Sequence, residues 1–265
     1  MSELRGARVF VTGADGFIGS HLVETLVKAG AKVRALVYYN SWNSTGWLSD
    51  VPADVLKQVE IFTGDVRDAE RIKEAIAGVS HVFHLASLIG IPYSYEAPQS
   101  YLDTNIGGTL NVLEACRRSS TLVRLVHTST SEVYGTAQTV PIAESHPLVG
   151  QSPYSATKIG ADKLAESFHR SFGLPVVTAR PFNTFGPRQT ARFLMEATQR
   201  DIPIVCESER TRPAASEVNR LIADASRLRT LTGWSPATGF REGLWQTVDW
   251  IKKNQNRFVP EQYVR

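Results

Sequence analysis

From Ala7 onward, short apolar runs rich in β-branched residues alternate with longer stretches of helical patterning. Unbroken apolar runs suit strands covered on both faces, and strands separated by helices imply parallel crossovers. Strands are predicted over residues 8–12, 32–37, 59–63, 81–85, 122–128 and 175–180, and helices over 17–28, 68–77, 101–118 and 155–172. The expectation is an α/β fold built on one doubly wound parallel sheet. The rhythm changes after Arg180. Residues 181–189 read as loop, 191–200 and 218–230 as helical, and 243–253 as a closing helix. This divides the chain into a sheet domain, 1–180, and a small lobe, 181–265, which Trp234, Trp245 and Trp250 are expected to pack.

Composition changes this picture little. Hydrophobic residues at 42% and charged residues at 21% mark an ordinary globular chain and exclude disorder as its dominant state. The net charge of +3 is scattered along the chain, so no nucleic-acid patch is expected, while a mild positive balance suits a phosphorylated ligand. Cys116 and Cys206, the two cysteines, offer neither a disulfide framework nor metal spacing, which favours a reducing compartment. Residues 1–6 lack the apolar core of a signal peptide, and no run approaches the roughly 20 residues of a membrane span. A soluble, cytoplasmic protein is expected. None of the six histidines shows ligand spacing, so they read as structural and no metal is expected. Cys116 falls on an apolar helix face and reads as core.

Two motifs carry chemistry. In Val9-Phe-Val-Thr-Gly13-Ala-Asp-Gly16-Phe17-Ile18-Gly19, a strand turns into a helix. Gly13 permits the tight turn, Gly16 lets backbone approach a pyrophosphate, and Gly19 lets the helix pack closely on the strand. The helix N-terminus then presents free N–H groups to the phosphates. The acidic residue expected about 20 residues on is absent. Val37-Tyr38-Tyr39-Asn40 stands there instead, leaving Tyr38, Asn40 or Ser41 to recognise the ribose and the choice between NAD and NADP open. Asp65-Val66 reads either as an adenine contact or, through Asp65, as a helix cap. Ser87 reads either as a ligand contact or as an ordinary loop serine.

The second motif is Tyr154-Ser-Ala-Thr-Lys158. Helical spacing places Lys158 beside Tyr154, where an ammonium would lower the phenol's pKa of about 10. The motif follows Thr128-Ser-Thr130-Ser131-Glu132-Val-Tyr-Gly135, a run of hydroxyls and a carboxylate at the C-terminal end of a predicted strand, where parallel sheets bind ligands.

Together with Arg180-Pro-Phe-Asn183-Thr-Phe-Gly-Pro-Arg188, these segments resemble the extended short-chain dehydrogenase/reductase superfamily over nearly the whole chain. More narrowly, the chain resembles the NAD-dependent nucleotide-sugar 4,6-dehydratases. Ile89-Gly-Ile-Pro-Tyr-Ser-Tyr95, Gly150-Gln-Ser-Pro-Tyr-Ser155 and Arg212-Pro-Ala-Ala-Ser-Glu-Val218 resemble the branch acting on a nucleotide-linked N-acetylglucosamine in legionaminic-acid-type synthesis. The resemblance implies a Rossmann-type sheet that holds NAD against Gly13, Gly16, Phe17, Ile18 and Gly19. Asn40, Asp65 and Val66 would lie at the adenosine end, with Leu85, Ala86 and Ser87 beside the cofactor. It implies that Tyr154 takes the sugar 4-hydroxyl proton through Thr130 as hydride leaves C4, while Lys158 holds the ribose. Glu132 would remove the C5 proton, water would leave C6, and the hydride would return to C6. Asn183 and Arg188, with Ser87 and Thr130, would contact the substrate. Dimerisation through the helices at 101–118 and 155–172 is a further family expectation.

The chain departs from the pattern in two places. Glucose-specific dehydratases carry Asp-Glu where this chain has Ser131-Glu132, which leaves Glu132 as both base and acid. Between Arg192 and Ile202 the chain is also too short for a full substrate lobe, through either true shortening or omitted residues. The rival readings are a nucleotide-sugar 4-epimerase, a UDP-glucuronate decarboxylase and a non-enzymatic NAD(P) sensor.

Overall fold

In the computed structural model, which describes residues 4–189, 213, 216–218 and 220–257, the alternation of strand and helix forms as the sequence predicts. The chain runs β1 (Arg8–Thr12), α1 (Phe17–Lys28), β2 (Lys32–Tyr38), α2 (Ala53–Leu56), β3 (Val59–Gly64), α3 (Ala69–Ile76) and β4 (His81–His84). It continues through α4 (Ile91–Glu96), α5 (Pro98–Tyr101), α6 (Gly108–Arg118), β5 (Arg124–Thr128), α7 (Pro153–Phe172) and β6 (Val176–Ala179). All six strands pair in parallel in the order β3-β2-β1-β4-β5-β6. Strand order reverses between β1 and β4, where such sheets open a crevice at their carboxyl ends.

Side chains alternate across the sheet. On β1, Val9 and Val11 join the cluster under α1, while Phe10 faces the opposite cluster with Val82, Leu125 and the apolar faces of α3, α6 and α7. The expected single helix at 101–118 is broken: a π-helical turn, Leu102–Gly107, precedes α6. Gly108 opens α6 so close to Val66 that a Cβ would lie 2.7 Å from its side chain. β5 begins two residues later than predicted, because Val123 spends its N–H on the Ser80 carbonyl outside the ladder.

The chain divides into two units. The first holds the sheet, Met1–Gly135 with Leu148–Pro181; the second takes Thr136–Pro147 and everything from Phe182. The expected boundary at 180/181 did not include the excursion at Thr136–Pro147. Within the second unit, Ile142 forms a parallel bridge with Ala223. Of the helix expected over 218–230, Ala223 lies in that bridge and the described helix is α8 (Ser226–Thr232). The last helix, α9 (Phe240–Lys253), buries Gly243, Thr247, Val248 and Ile251. Trp234 and Trp245 are exposed, so they do not pack this lobe as expected. The helix expected at 191–200, Cys206 and the short segment after Arg192 lie outside the described residues. Among the described residues, no helix is long and apolar enough to cross a membrane.

α7 is the element that matters most for the site. Ser152 and Ser155 form a reciprocal capping box, each hydroxyl accepting the other's backbone N–H at 3.0 and 2.9 Å, and Gly173 ends the helix in a left-handed turn. Ser152→Ala should lower stability by about 1 kcal/mol, read as a fall in Tm. An unchanged Tm would show that the capping box does not anchor this helix.

Candidate active site

The glycine turn is as close as its residue types require. Gly13 has φ +64°, and a Cβ there would sit 2.8 Å from the Ala86 nitrogen; a Cβ on Gly19 would sit 1.9 Å from the Gly13 carbonyl oxygen. Backbone fills the space that side chains would take, so β1, α1 and the end of β4 meet at van der Waals contact. Gly16 caps α1 with no side-chain bond to the first turn, which leaves its N–H groups facing outward for an anion. Phe17 and Ile18 follow in that first turn. This cradle fits a dinucleotide pyrophosphate.

At the ends of β2 and β3 the arrangement differs from expectation. Asn40 uses its side-chain amide within its own loop, donating to the Tyr38 and Ser44 carbonyls and accepting from the Ser44 N–H. These bonds hold Asn40 within its own loop. Asp15, which sequence reasoning passed over, accepts from the Tyr38 N–H at 3.0 Å. The helix-cap reading of Asp65 is also corrected: Asp68 caps α3, and Asp65 instead binds the Arg67 backbone and guanidinium. Burial pushes the Asp65 carboxyl up, but the Arg67 bonds outweigh it and hold the group below the usual range. Arg67 also reaches the Tyr38 hydroxyl at 3.4 Å. Val66 is buried beneath Gly108, and its carbonyl accepts from Asn111 Nδ2 at 2.9 Å.

A buried polar network ties the turn to β4. The Thr12 hydroxyl accepts the Leu85 and Ala86 N–H groups, both at 3.0 Å, and lies 2.8 Å from His84 Nδ1. With its lone pairs engaged, Thr12 donates its proton to Nδ1, so His84 carries its own proton on Nε2, which donates to Thr109 at 3.0 Å. Thr109 passes its proton to the Asn105 carbonyl. Burial keeps His84 neutral, pushing its pKa well below the ordinary value. The Asn105 side chain accepts from Ser87 and the Leu88 N–H, and donates to the Leu88 carbonyl and Thr157. Ser87 is thus fixed by Asn105, a residue whose side-chain role the sequence did not reveal.

The second motif assembles at the end of β5. Thr130 caps a short 3₁₀ turn, Ser131–Tyr134, accepting from the Glu132 N–H at 3.2 Å. Ser131 is buried and Glu132 half-buried. α7 directs Tyr154 and Lys158 from its buried face into this same region. Thr130 hydrogen-bonds the Tyr154 phenol, and the Glu132 carboxylate is near enough to oppose ionisation of that phenol. Lys158 Nζ donates to the Thr128 carbonyl at 2.8 Å.

The expected lowering of the phenol pKa is not found. Burial dominates and pushes Tyr154 up to about 12, against the smaller opposing effect of Thr130. Burial likewise drives the Lys158 ammonium down to about 8, with Asp162 pulling the other way. The described residues contain no gathering of three or more side chains suited to a metal. Cys116 is buried and its thiol is pushed up to about 12 by burial, as a core position implies.

In the second unit, Asn183 is exposed, whereas Arg188 is buried with φ +69°, a strained conformation of the sort held in place at functional loops.

Without ligands, Tyr154 should hold its proton through neutral and mildly alkaline pH. The ultraviolet phenolate titration of the wild type minus that of Tyr154→Phe should show a single step near pH 12. A step at or below pH 10 would show that the Lys158 charge outweighs burial.

Comparison with known proteins agrees with this geometry. The chain is 35% identical over 187 residues to UDP-glucuronate 4-epimerase 1 of Arabidopsis thaliana, covering 69% of this chain and 43% of that protein. It is 36% identical over 190 residues to a dTDP-glucose 4,6-dehydratase of Mycobacterium tuberculosis, covering 69% of this chain and 55% of that one. The chain spans about half the length of these curated relatives. The Thermus thermophilus UDP-glucose 4-epimerase, solved in complex with NAD, superposes with a TM-score of 0.76 at 27% identity, over 92% of this chain and 99% of that one. The family described as GDP-mannose 4,6 dehydratase matches residues 10–203, and the chain belongs to that family.

Proposed function

We propose that the chain is an NAD-dependent nucleotide-sugar 4,6-dehydratase. What supports this reading is that Thr130, whose hydroxyl bonds the Tyr154 phenol, also caps the turn that carries the carboxylate Glu132, accepting from the Glu132 N–H at 3.2 Å. Hydride exchange at C4 needs only the tyrosine and lysine. Elimination across C5 and C6 needs a second base, and Glu132 would be that base. An N-acetylglucosamine-linked nucleotide is the proposed substrate, supported by the resemblance of residues 89–95 and 150–155 to that branch. Residues 212–218, which carry the same resemblance, are only partly described.

The residues present fit NAD: the glycine cradle admits backbone-to-pyrophosphate approach, and Tyr38 stands where an acidic residue would otherwise meet the ribose. When bound, NAD would supply the acceptor for the C4 hydride, store it for return to C6, and add a positive charge that favours the phenolate. Tyr154 would take the 4-hydroxyl proton, with Thr130 holding the phenol oriented. Once C4 is a ketone the C5 proton becomes acidic, and Glu132 would remove it and then protonate the departing C6 hydroxyl. The proton that Tyr154 took from the 4-hydroxyl would supply C5 when the hydride returns to C6. Ser131, buried and without an acidic proton to give, would not share that work. Arg188 is proposed for the diphosphate, where a guanidinium suits the geometry, and Asn183 for the substrate backbone. Cytoplasmic location and a homodimer through α6 and α7 belong to the same proposal.

Glu132→Gln separates oxidation from elimination, because the amide preserves size but accepts no proton. It should cut dehydration 10²–10⁴-fold while still showing a rise in absorbance from reduced cofactor. Tyr154→Phe should abolish that rise. If Glu132→Gln dehydrates at the wild-type rate, Glu132 is not the eliminating base; if the wild type inverts C4 without losing water, the 4-epimerase reading, favoured by the 35% identical epimerase, takes the dehydratase's place.

A further inference from the structure

The buried face of α7 carries polar groups at four-residue intervals: Tyr154, Lys158 and Asp162. The proposed chemistry uses the first two. Asp162 is as deeply buried as Lys158, each only 4% exposed. Its carboxylate is enclosed: Oδ1 meets His127 Nε2 at 3.1 Å, and Oδ2 accepts Arg180 Nε and Nη2, both at 3.0 Å. Arg180 is itself braced by the Tyr134 hydroxyl at 3.1 Å.

This bonding settles the charges. An ionised carboxylate only accepts, so His127 must carry its proton on Nε2, which leaves Nδ1 as a buried, unpartnered lone pair. Protonating Nδ1 would leave a buried N–H with no acceptor and set a second cation against Lys158. His127 is therefore neutral, in keeping with a pKa that burial lowers. His84, whose ring centroid lies 5.7 Å from that of His127, is neutral as well. Among the described residues, the charge that acts on Lys158 is Asp162, four residues on along the same helix, with Arg180 bonded to its far side. A lone ammonium taken out of water tends to lose its proton.

We propose that Asp162, clamped by His127 and Arg180, is a positioning residue: the buried counter-ion that keeps Lys158 an ammonium. The inference rests on the dehydratase reading only for its consequence in catalysis. Burial pushes the Asp162 carboxyl up, but its partners more than offset this and hold it ionised, and Asp162 is the group that opposes the fall of Lys158. The sign is fixed. Lys158 is charged below its pKa, so removing Asp162 moves the alkaline limit of the charged form to lower pH. Arg180, drawing on the same carboxylate, limits how far Asp162 can raise Lys158.

The test is an NMR titration of the full chain with ¹³C-labelled lysine, the Lys158 signal being the one lost in Lys158→Met. The wild type should titrate near 8, Asp162→Asn about one unit or more lower, and Asp162→Glu close to the wild type. A merely structural role would leave the midpoint in place while lowering Tm. An unmoved midpoint in Asp162→Asn, or a Glu variant displaced as far as the Asn variant, overturns the proposal. Should Asp162→Asn fail to fold, Asp162→Asn with Arg180→Gln removes both charges and avoids stranding the guanidinium. A midpoint there below that of Arg180→Gln alone supports the proposal, and one equal to it overturns the proposal. The titration needs neither substrate nor turnover. A displaced lysine in a protein that eliminates no water sinks the reaction and keeps the counter-ion; an unmoved lysine in an active dehydratase does the reverse.

Discussion

Burying a charged lysine is the constraint on which the site depends. Removing an ammonium from water costs several kcal/mol even after relaxation, and few surroundings offset it. Here the offset comes from the Thr128 carbonyl at the end of β5 and from a carboxylate one helical turn away. That carboxylate is in turn anchored from β5 by His127 and from the end of β6 by Arg180. The sheet and α7 are thus joined by charge as well as by apolar packing. The same dryness pushes Tyr154 up to about 12, so the phenol rests protonated until a further positive charge arrives.

A second set of bonds fixes the other half of the crevice. Thr12, His84, Thr109 and Asn105 link the glycine turn to the loop after β4, and Asn105 carries the link to α7 through Thr157. Thr157 donates to the Tyr154 carbonyl, so the turn that would grip phosphates and the helix that presents the phenol share one hydrogen-bonded frame. Each donor in this chain has one acceptor available to it, which is why the imidazole tautomer can be assigned.

Much of this was legible in the residues. The strand-helix rhythm located all six strands, because residues covered on both faces leave little freedom of type. Gly13 and Gly19 were readable because only glycine fits where backbone approaches so closely. Tyr154 and Lys158 were readable from spacing, but the sign of the phenol's shift was not, since it depends on how much water burial excludes. The loop bonds of Asn40 were not legible, because an amide serves a ligand or its own loop equally well. Asp65 misled for a similar reason: either of two aspartates three residues apart could have capped α3. Asn105 and Asp162 were missed, although Asp162 stands four residues beyond Lys158, a spacing that would have pointed to it had the helix been followed one turn further. The excursion at Thr136–Pro147 is joined to later residues through Ile142 and Ala223, a pairing between segments far apart in sequence that local patterning cannot reveal.

The account turns on a hydride that leaves one carbon of the sugar and returns to another with water lost between. A nucleotide-linked N-acetylglucosamine deuterated at C4, incubated with the purified protein and NAD, reads this directly by mass spectrometry and NMR. The account predicts a product lighter by one water with the deuterium at C6. A product of unchanged mass with inverted C4 and the deuterium still on that carbon would contradict it.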